Sequence, residues 1–467
     1  ALRVLNAATD EQVNGRVSRI AEMKVLRAHY YFELSRLFNK IPYFDENVEI
    51  SQYPDIPNNE FTRDEILSML AEEMLDAAEQ LPASQPEVGR IHKYIALAYA
   101  AKIKLYQAYQ QDEITHAVTS INKELLREVV SLCDQVTASN RYGLLDDFQG
   151  LDLVANENGK ESVFAIQYSM NDGTESAGRI NWSNLLNSPG GGSPYGGDGF
   201  FLPSQDLINA YQTDANGLPD FNYQSKSDYS WAVLNNGVYT LQNTTPNVDP
   251  RLDFVVGRPT ITWKTYPDKP CEGWVRDKET YGYNCAKRFW VSPESSDMFN
   301  GWPWGASQLN WQIIRYADIL LWKAEALIEL NEGNGLETAR DLINQIRNRA
   351  RNSAYVKDFN DHSKYAANYL VNPYPADVWN QDYARQALRW ETRLEKALEG
   401  ERFFDLVRWG IVETTMNKYI TAESDNRIYY ANAHFTGGKD EYYPVPNNQY
   451  GFSGGKYVQN PGYAPFN

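Results

Sequence analysis

Apolar side chains recur every three or four residues in the first and last thirds of the chain and lose that period in between. Within Ser18 to Asn39, Val25, Ala28, Tyr31, Phe32, Leu34 and Leu37 fall on one helical face, and Pro42 ends the pattern. A second helix is predicted to open at Thr62, whose hydroxyl can cap while Glu65 completes a capping box, and to close before Pro82. Lys93 to Tyr109 and Ile121 to Ala138 continue the period. Such helices read as antiparallel hairpins, each needing a neighbour to cover its apolar stripe.

From about Tyr142 to Trp311, Gly, Pro, Asn and aromatic residues replace the helical period, leaving only short strand-like runs at Ser162 to Tyr168 and Leu252 to Val256. The glycines and prolines between Ser188 and Gly197 exclude a helix or central strand, so that stretch is a loop. Helix returns at Ile313 to Leu330, turns through Gly333 and Gly335, and continues from Leu336 to Arg351. The small residues of this unit resemble a tetratricopeptide repeat. A further long helical region is expected from Asp382 to Gly410, and an extended Gly/Pro/Tyr-rich tail after Asn432. The expected class is therefore mainly α: a tetratricopeptide-like hairpin scaffold with a large irregular face. Within a single domain, 1–467, it divides into helical hairpins (1–141), an aromatic-rich half (142–312), and helical repeats with the tail (313–467).

Composition sharpens this picture. The chain is 13% aromatic, with 12 Trp and 32 Tyr, more than helical cores need, and many of these rings fall in loop-rich segments. A net charge of -17 without any basic run argues against a nucleic-acid partner. Cys133 sits in a helical period and reads as a small buried hydrophobe; Cys271 and Cys285 lie in one loop-rich stretch and are able to pair in an oxidising compartment. No apolar run reaches the roughly 20 residues of a membrane span, and no leader peptide opens the sequence.

Candidate chemistry is sparse. Arg315, Asp318 and Glu325, and Arg389, Glu391, Glu401, Arg402, Asp405 and Arg408, read as structural ion pairs along helix faces rather than as catalytic carboxylates. Gly451-Phe452-Ser453-Gly454-Gly455 has the spacing of a nucleophile elbow, but no histidine follows it and no helical pattern surrounds it. Asp198, Asp206 and Asp220 lie near the aromatic loops without the setting of a glycosidase pair, and Asp214 to Gly217 opens like a calcium loop without the rest of that motif. No catalytic residue, metal or cofactor is expected. Sugars are held on aromatic platforms with amide or charged edges. The candidate ring positions are Trp182, Tyr195, Phe201, Trp231, Trp263, Trp274 and Trp302, with Phe200 and Trp304 beside them and Trp231 at the centre. Trp311, Trp322 and Trp409, in helical segments, are expected to pack instead.

Several motifs in order resemble the SusD/RagB family over nearly the whole chain. They are Leu26-Arg27-Ala28-His29-Tyr30 with Phe38-Asn39-Lys40-Ile41-Pro42, then Lys160 to Gln167, Pro203 to Tyr211, Asp249-Pro250-Arg251-Leu252, Ile314 to Ala326, Leu398 to Gly410, and Tyr443-Pro444-Val445-Pro446. Asn39 stands where the family usually has Gly. The resemblance implies a non-catalytic surface lipoprotein of the outer membrane, lying as a lid over a SusC-like TonB-dependent transporter and delivering oligo- or polysaccharide to it. RagB-like members imply peptide as the alternative cargo. The lipid anchor would belong to a segment preceding these residues.

Overall fold

In the computed structural model the described residues are 1–466 apart from 176–177, 231, 236–237, 242–245 and 303. Four long helices fill the first third: α1 (Arg16–Phe38), α2 (Arg63–Gln80), α3 (Lys93–Ala108) and α4 (Lys123–Ala138). The Thr62 hydroxyl accepts the Glu65 amide and the Glu65 carboxylate reaches back to the Thr62 backbone, so the capping box forms as its spacing predicts. Each of these helices packs on the next, and α4 packs on α5 (Tyr316–Leu330), which packs in turn on α6 (Gly335–Asn352) and α7 (Gln381–Glu395). One apolar cluster runs from Val25 and Phe32 through Leu70, Tyr99 and Val129 to Ile319, Trp322 and Trp409. Cys133 is fully buried within it. The chain's first and last helical segments therefore close one core across the irregular half.

A narrow antiparallel ribbon is the neck of that half. Strand β1 (Ser162–Ile166) pairs with β2 (Trp311–Arg315), in register Ser162 with Arg315 and Ile166 with Trp311. The intervening chain is an excursion that builds one smaller core around Tyr195, Trp263 and Trp290 and shares another, around Tyr211 and Phe254, with Phe148 before the ribbon and Val356 and Leu394 after it.

Three sequence expectations need correction, and a cysteine pairing that the sequence left open is decided. The helix expected from Ile313 begins only at Tyr316, because the ribbon takes Trp311 to Arg315 as strand. Arg251–Val255 is a short helix and only Val256–Gly257 is strand; all five helical residues are buried, and a short buried segment suits either state. The region from Asp382 to Gly410 is two helices, α7 and α8 (Arg402–Arg408), broken where Leu398 and Gly400 take positive φ of 66° and 83°. All three cysteines are free, Cys271 exposed and Cys285 buried.

Of the helix-face ion pairs, Arg408 with Asp405 forms as its spacing suggests, at 2.9 Å, while other arginines clamp separate elements. Arg315 is buried and reaches across elements to Glu161 at 2.7 Å, Glu395 at 3.1 Å and Glu399 at 2.7 Å. Arg251 meets Asp249 at 2.7 Å and Glu391 at 2.6 Å, Glu391 meets Arg347 at 3.0 Å, and Arg349 joins Glu161 to Glu395. The break after α7 swings Glu399 toward Arg315 and Glu401 toward Arg36 (2.7 Å) and Lys102 (3.2 Å). A left-handed leucine costs about 1–2 kcal/mol, and here it places Glu399 in a buried network where its cationic partners need it.

Candidate functional site

Tyr195, Trp263, Trp274 and Trp290 form a buried aromatic block under the loop-rich half. The Trp263 indole N–H donates to the Tyr195 hydroxyl at 2.9 Å, and that hydroxyl donates to the Val291 carbonyl at 2.7 Å. Trp263 and Trp274 meet edge to face with centroids 5.1 Å apart. Burial pushes the Tyr195 phenol well above its ordinary range. Three rings expected as sugar platforms, Tyr195, Trp263 and Trp274, are therefore interior, and Phe201 packs on the block's flank. A half with so little aliphatic periodicity must build its core from aromatics.

The loop from Ser188 to Gly197 is stitched onto this block. Gly190 donates to the Trp274 carbonyl at 3.1 Å and Gly197 to the Pro189 carbonyl at 2.9 Å. Gly197 is required there, since a β-carbon would lie 1.9 Å from Ser188 Oγ.

Other rings face solvent above that base: Trp182 at 45% exposure, Trp302 at 65%, Trp304 at 53% and Phe200 at 72%. They ride on two segments that hold each other. Asn181 donates to the Ser307 carbonyl at 2.9 Å, Phe299 to Ala306 at 2.9 Å, and Phe200 to Leu186 at 3.0 Å. Asn181 also caps the turn at Trp182–Asn184 by accepting the Asn184 amide. Beside Gly190, Arg276 and Asp198 pair at 2.6 Å and supply a polar edge. Trp231, the expected centre of the face, lies outside the described residues; it precedes an antiparallel hairpin of Ala232–Asn235 with Val238–Leu241.

A cleft of about 1090 Å³ opens against the same block. Tyr266, packed on Trp274, lines it together with Tyr355, Phe359, Lys264, Lys287 and Lys357. Its carboxylates are all engaged. Asp146 pairs with Lys160 at 2.9 Å; Asp147 accepts the Gln149 and Ala354 amides; Asp152 takes Lys264 at 2.9 Å and Arg288 at 3.0 Å. Burial works to raise the Asp152 carboxyl, but Lys264 and Arg288 outweigh it and hold it below its usual range. Sequence reasoning missed this cleft. Its rings and lysines come from three separated loops with no shared period, and no local signal marks them.

The serine and two of the aspartates singled out in the sequence are held in local structural contacts. Ser453 of the elbow-like motif is buried, donating to the Tyr450 carbonyl and accepting the Tyr457 amide just past a short helix, Asn447–Phe452. Asp206 is held by Arg393, Tyr223 and Gln224. Asp214 closes a turn by accepting the Asn216 and Leu218 amides. Among the described residues no helix is long and apolar enough to cross a membrane.

Helical pairs closing one core, with a loop-rich excursion built on buried rings and carrying exposed ones, define a scaffold of the SusD type. The SusD family model matches residues 160–463, and the chain belongs to that family. A SusD-like protein of Bacteroides ovatus is 22% identical over 431 residues, which cover 87% of this chain and 62% of that protein, so the chain spans under two thirds of its relative. Among solved structures, a SusD superfamily protein of Bacteroides vulgatus superposes with a TM-score of 0.67 at 20% identity, covering 99% of this chain and 82% of the other. Surface glycan-binding protein A of Bacteroides thetaiotaomicron, solved with laminarihexaose, does so with a TM-score of 0.60 at 17% identity, covering 98% and 81%.

Proposed function

We propose that this protein binds oligosaccharide on the exposed rings Trp182, Phe200, Trp302 and Trp304, without hydrolysing it, and hands it to a SusC-like TonB-dependent transporter at the outer membrane. The observation that carries the reading is the division of aromatic residues into a buried block and exposed rings on two mutually bonded loops above it. Flat apolar faces held on braced backbone, with Arg276 and Asp198 at the edge, suit the C–H faces and hydroxyl rims of sugars. Trp231 is proposed with them on its sequence context alone. Membership of the SusD family supports surface lipoprotein anchoring and transporter delivery, and the laminarihexaose complex of a similarly folded protein supports a glycan cargo.

The test is calorimetric titration of the protein with laminarihexaose, other neutral oligosaccharides and mixed peptides. Saturable binding of a glycan, lost in the Trp302→Ala/Trp304→Ala double variant, supports the assignment. Binding of peptides alone would replace glycan by peptide as the cargo. Release of reducing ends above a heat-killed control would overturn the non-catalytic reading.

A further inference from the structure

In a chain of net charge -17, cations as a rule have carboxylates to meet, and the buried network around Arg315 follows that rule closely. The rim and wall of the 1090 Å³ cleft depart from it. Lys357 lies over the Tyr365 ring with its ammonium 3.9 Å from the centroid, and Lys269 lies over Phe359 at 4.3 Å; among the described residues neither has a carboxylate within ion-pair reach. Among the described residues Lys287, in the wall, donates only to the Asp253 and Thr262 carbonyls, at 2.7 and 2.8 Å. Of the three lining aspartates, Asp146 meets Lys160, Asp152 meets Lys264 and Arg288, and Asp147 accepts the Gln149 and Ala354 amides and keeps its charge. Lys160, Lys264, Lys287 and Lys357 in the lining, with Lys269 and Arg288 against it, outnumber Asp146, Asp147, Asp152 and the adjacent Glu294, so the balance of charge at the concavity is positive. Tyr266, Tyr355 and Phe359 stand in the same lining and offer faces for a sugar ring.

We propose that this cleft is a second carbohydrate site, separate from the exposed rings, and that it takes a glycan bearing carboxylate or sulfate groups. The volume suits a few sugar residues. Lysine ammoniums are point charges without the planar fork of arginine, so they accept a uronate carboxylate and a sulfate ester alike. Burial pulls the Lys287 ammonium down to about 7, and an anion seated beside it would favour its protonated form. The reading of the chain as a glycan-binding protein selects sugar as the carrier of the anion; the charge argument stands on the cleft alone.

The experiment titrates the whole protein with tetragalacturonate, with a sulfated galactan tetrasaccharide and with laminarihexaose, at low and at moderate salt. At least one acidic probe is expected to bind, with affinity falling as salt rises. Lys357→Ala/Lys269→Ala should weaken it about tenfold or more while the thermal midpoint stays near wild type. Trp302→Ala/Trp304→Ala should leave acidic-probe binding intact. Which acidic probe binds distinguishes uronate from sulfate. Failure of both at low salt, or equal binding by the double lysine variant, overturns the proposal. Failure of laminarihexaose alone would count against the exposed-ring reading and leave this one standing.

Discussion

Trp263 and Tyr195 are joined by a buried hydrogen bond, indole N–H to phenol oxygen at 2.9 Å, with ring centroids 5.8 Å apart. Tyr195 comes from the loop Ser188 to Gly197 and anchors that loop in the block to which Trp263 belongs. Tyr195→Phe removes the acceptor and strands the indole N–H, which should cost about 1–3 kcal/mol. Trp263→Ala should cost about 3–5 kcal/mol by opening a large cavity. Denaturant unfolding reads both, and in both variants glycan affinity should fall together with stability. An unchanged midpoint for Trp263→Ala would show that the block does not support the fold.

The exposed rings should behave in the opposite way. Trp302 and Trp304 are more than half exposed, so removing either ring should leave unfolding within about 0.5 kcal/mol of wild type. Each lost stacking face should weaken a bound glycan by about 1–3 kcal/mol, or roughly five- to a hundred-fold in Kd. Calorimetry beside thermal unfolding checks the pair. Early unfolding with normal binding would mark these rings as packing.

Arg315 holds three buried carboxylates together, Glu161, Glu395 and Glu399. Arg315→Met should destabilise by roughly 3–5 kcal/mol, because it leaves those charges without their shared cation. Arg315→Lys should restore little, since one ammonium cannot reproduce the guanidinium fork. A chemical-denaturation series on the two variants decides this, and wild-type stability for Arg315→Lys would show that charge alone suffices.

Glu157 gives a pH signature. Its carboxyl is pushed up to about 7, first by burial and also by Asp297, against the hydrogen bond it accepts from the Asn310 amide at 2.6 Å. A carboxyl with a raised folded pKa contributes stability that is fully present below its unfolded value, near 4.3, and is lost as pH rises toward 7. Glu157→Gln stays neutral and retains an acceptor for Asn310. Its thermal midpoint should match wild type near pH 4 and exceed it at pH 8. Parallel midpoint-versus-pH curves for the two proteins would contradict this.

The helical elements could be read from the sequence because their signals are local. Thr62 and Glu65 sit three residues apart and make their capping box with no help from distant chain, and the apolar period around Val25 and Phe32 specifies which face is buried. The loop character of Ser188 to Gly197 was equally local, set by glycine and proline. The Asp382 to Gly410 break was marked locally by Gly400 alone, while the apolar period runs on through Leu398; the buried cations that meet Glu399 and Glu401 account for the left-handed leucine.

By itself the sequence determined the helices, the irregular excursion between them, the family and the surplus of aromatic rings. Tertiary structure alone decided what each ring does. Trp263 and Trp302 stand in similar loop-rich surroundings, yet one is fully buried and the other 65% exposed. Burial of a loop residue depends on which distant segments cross over it, and no period of 3.6 or 2 records that crossing. The cleft lysines follow the same rule. Among the described residues, Lys287 and Lys357 in the cleft and Lys269 beside it show no carboxylate partner, and only the folded chain, with the other charges in place, reveals that.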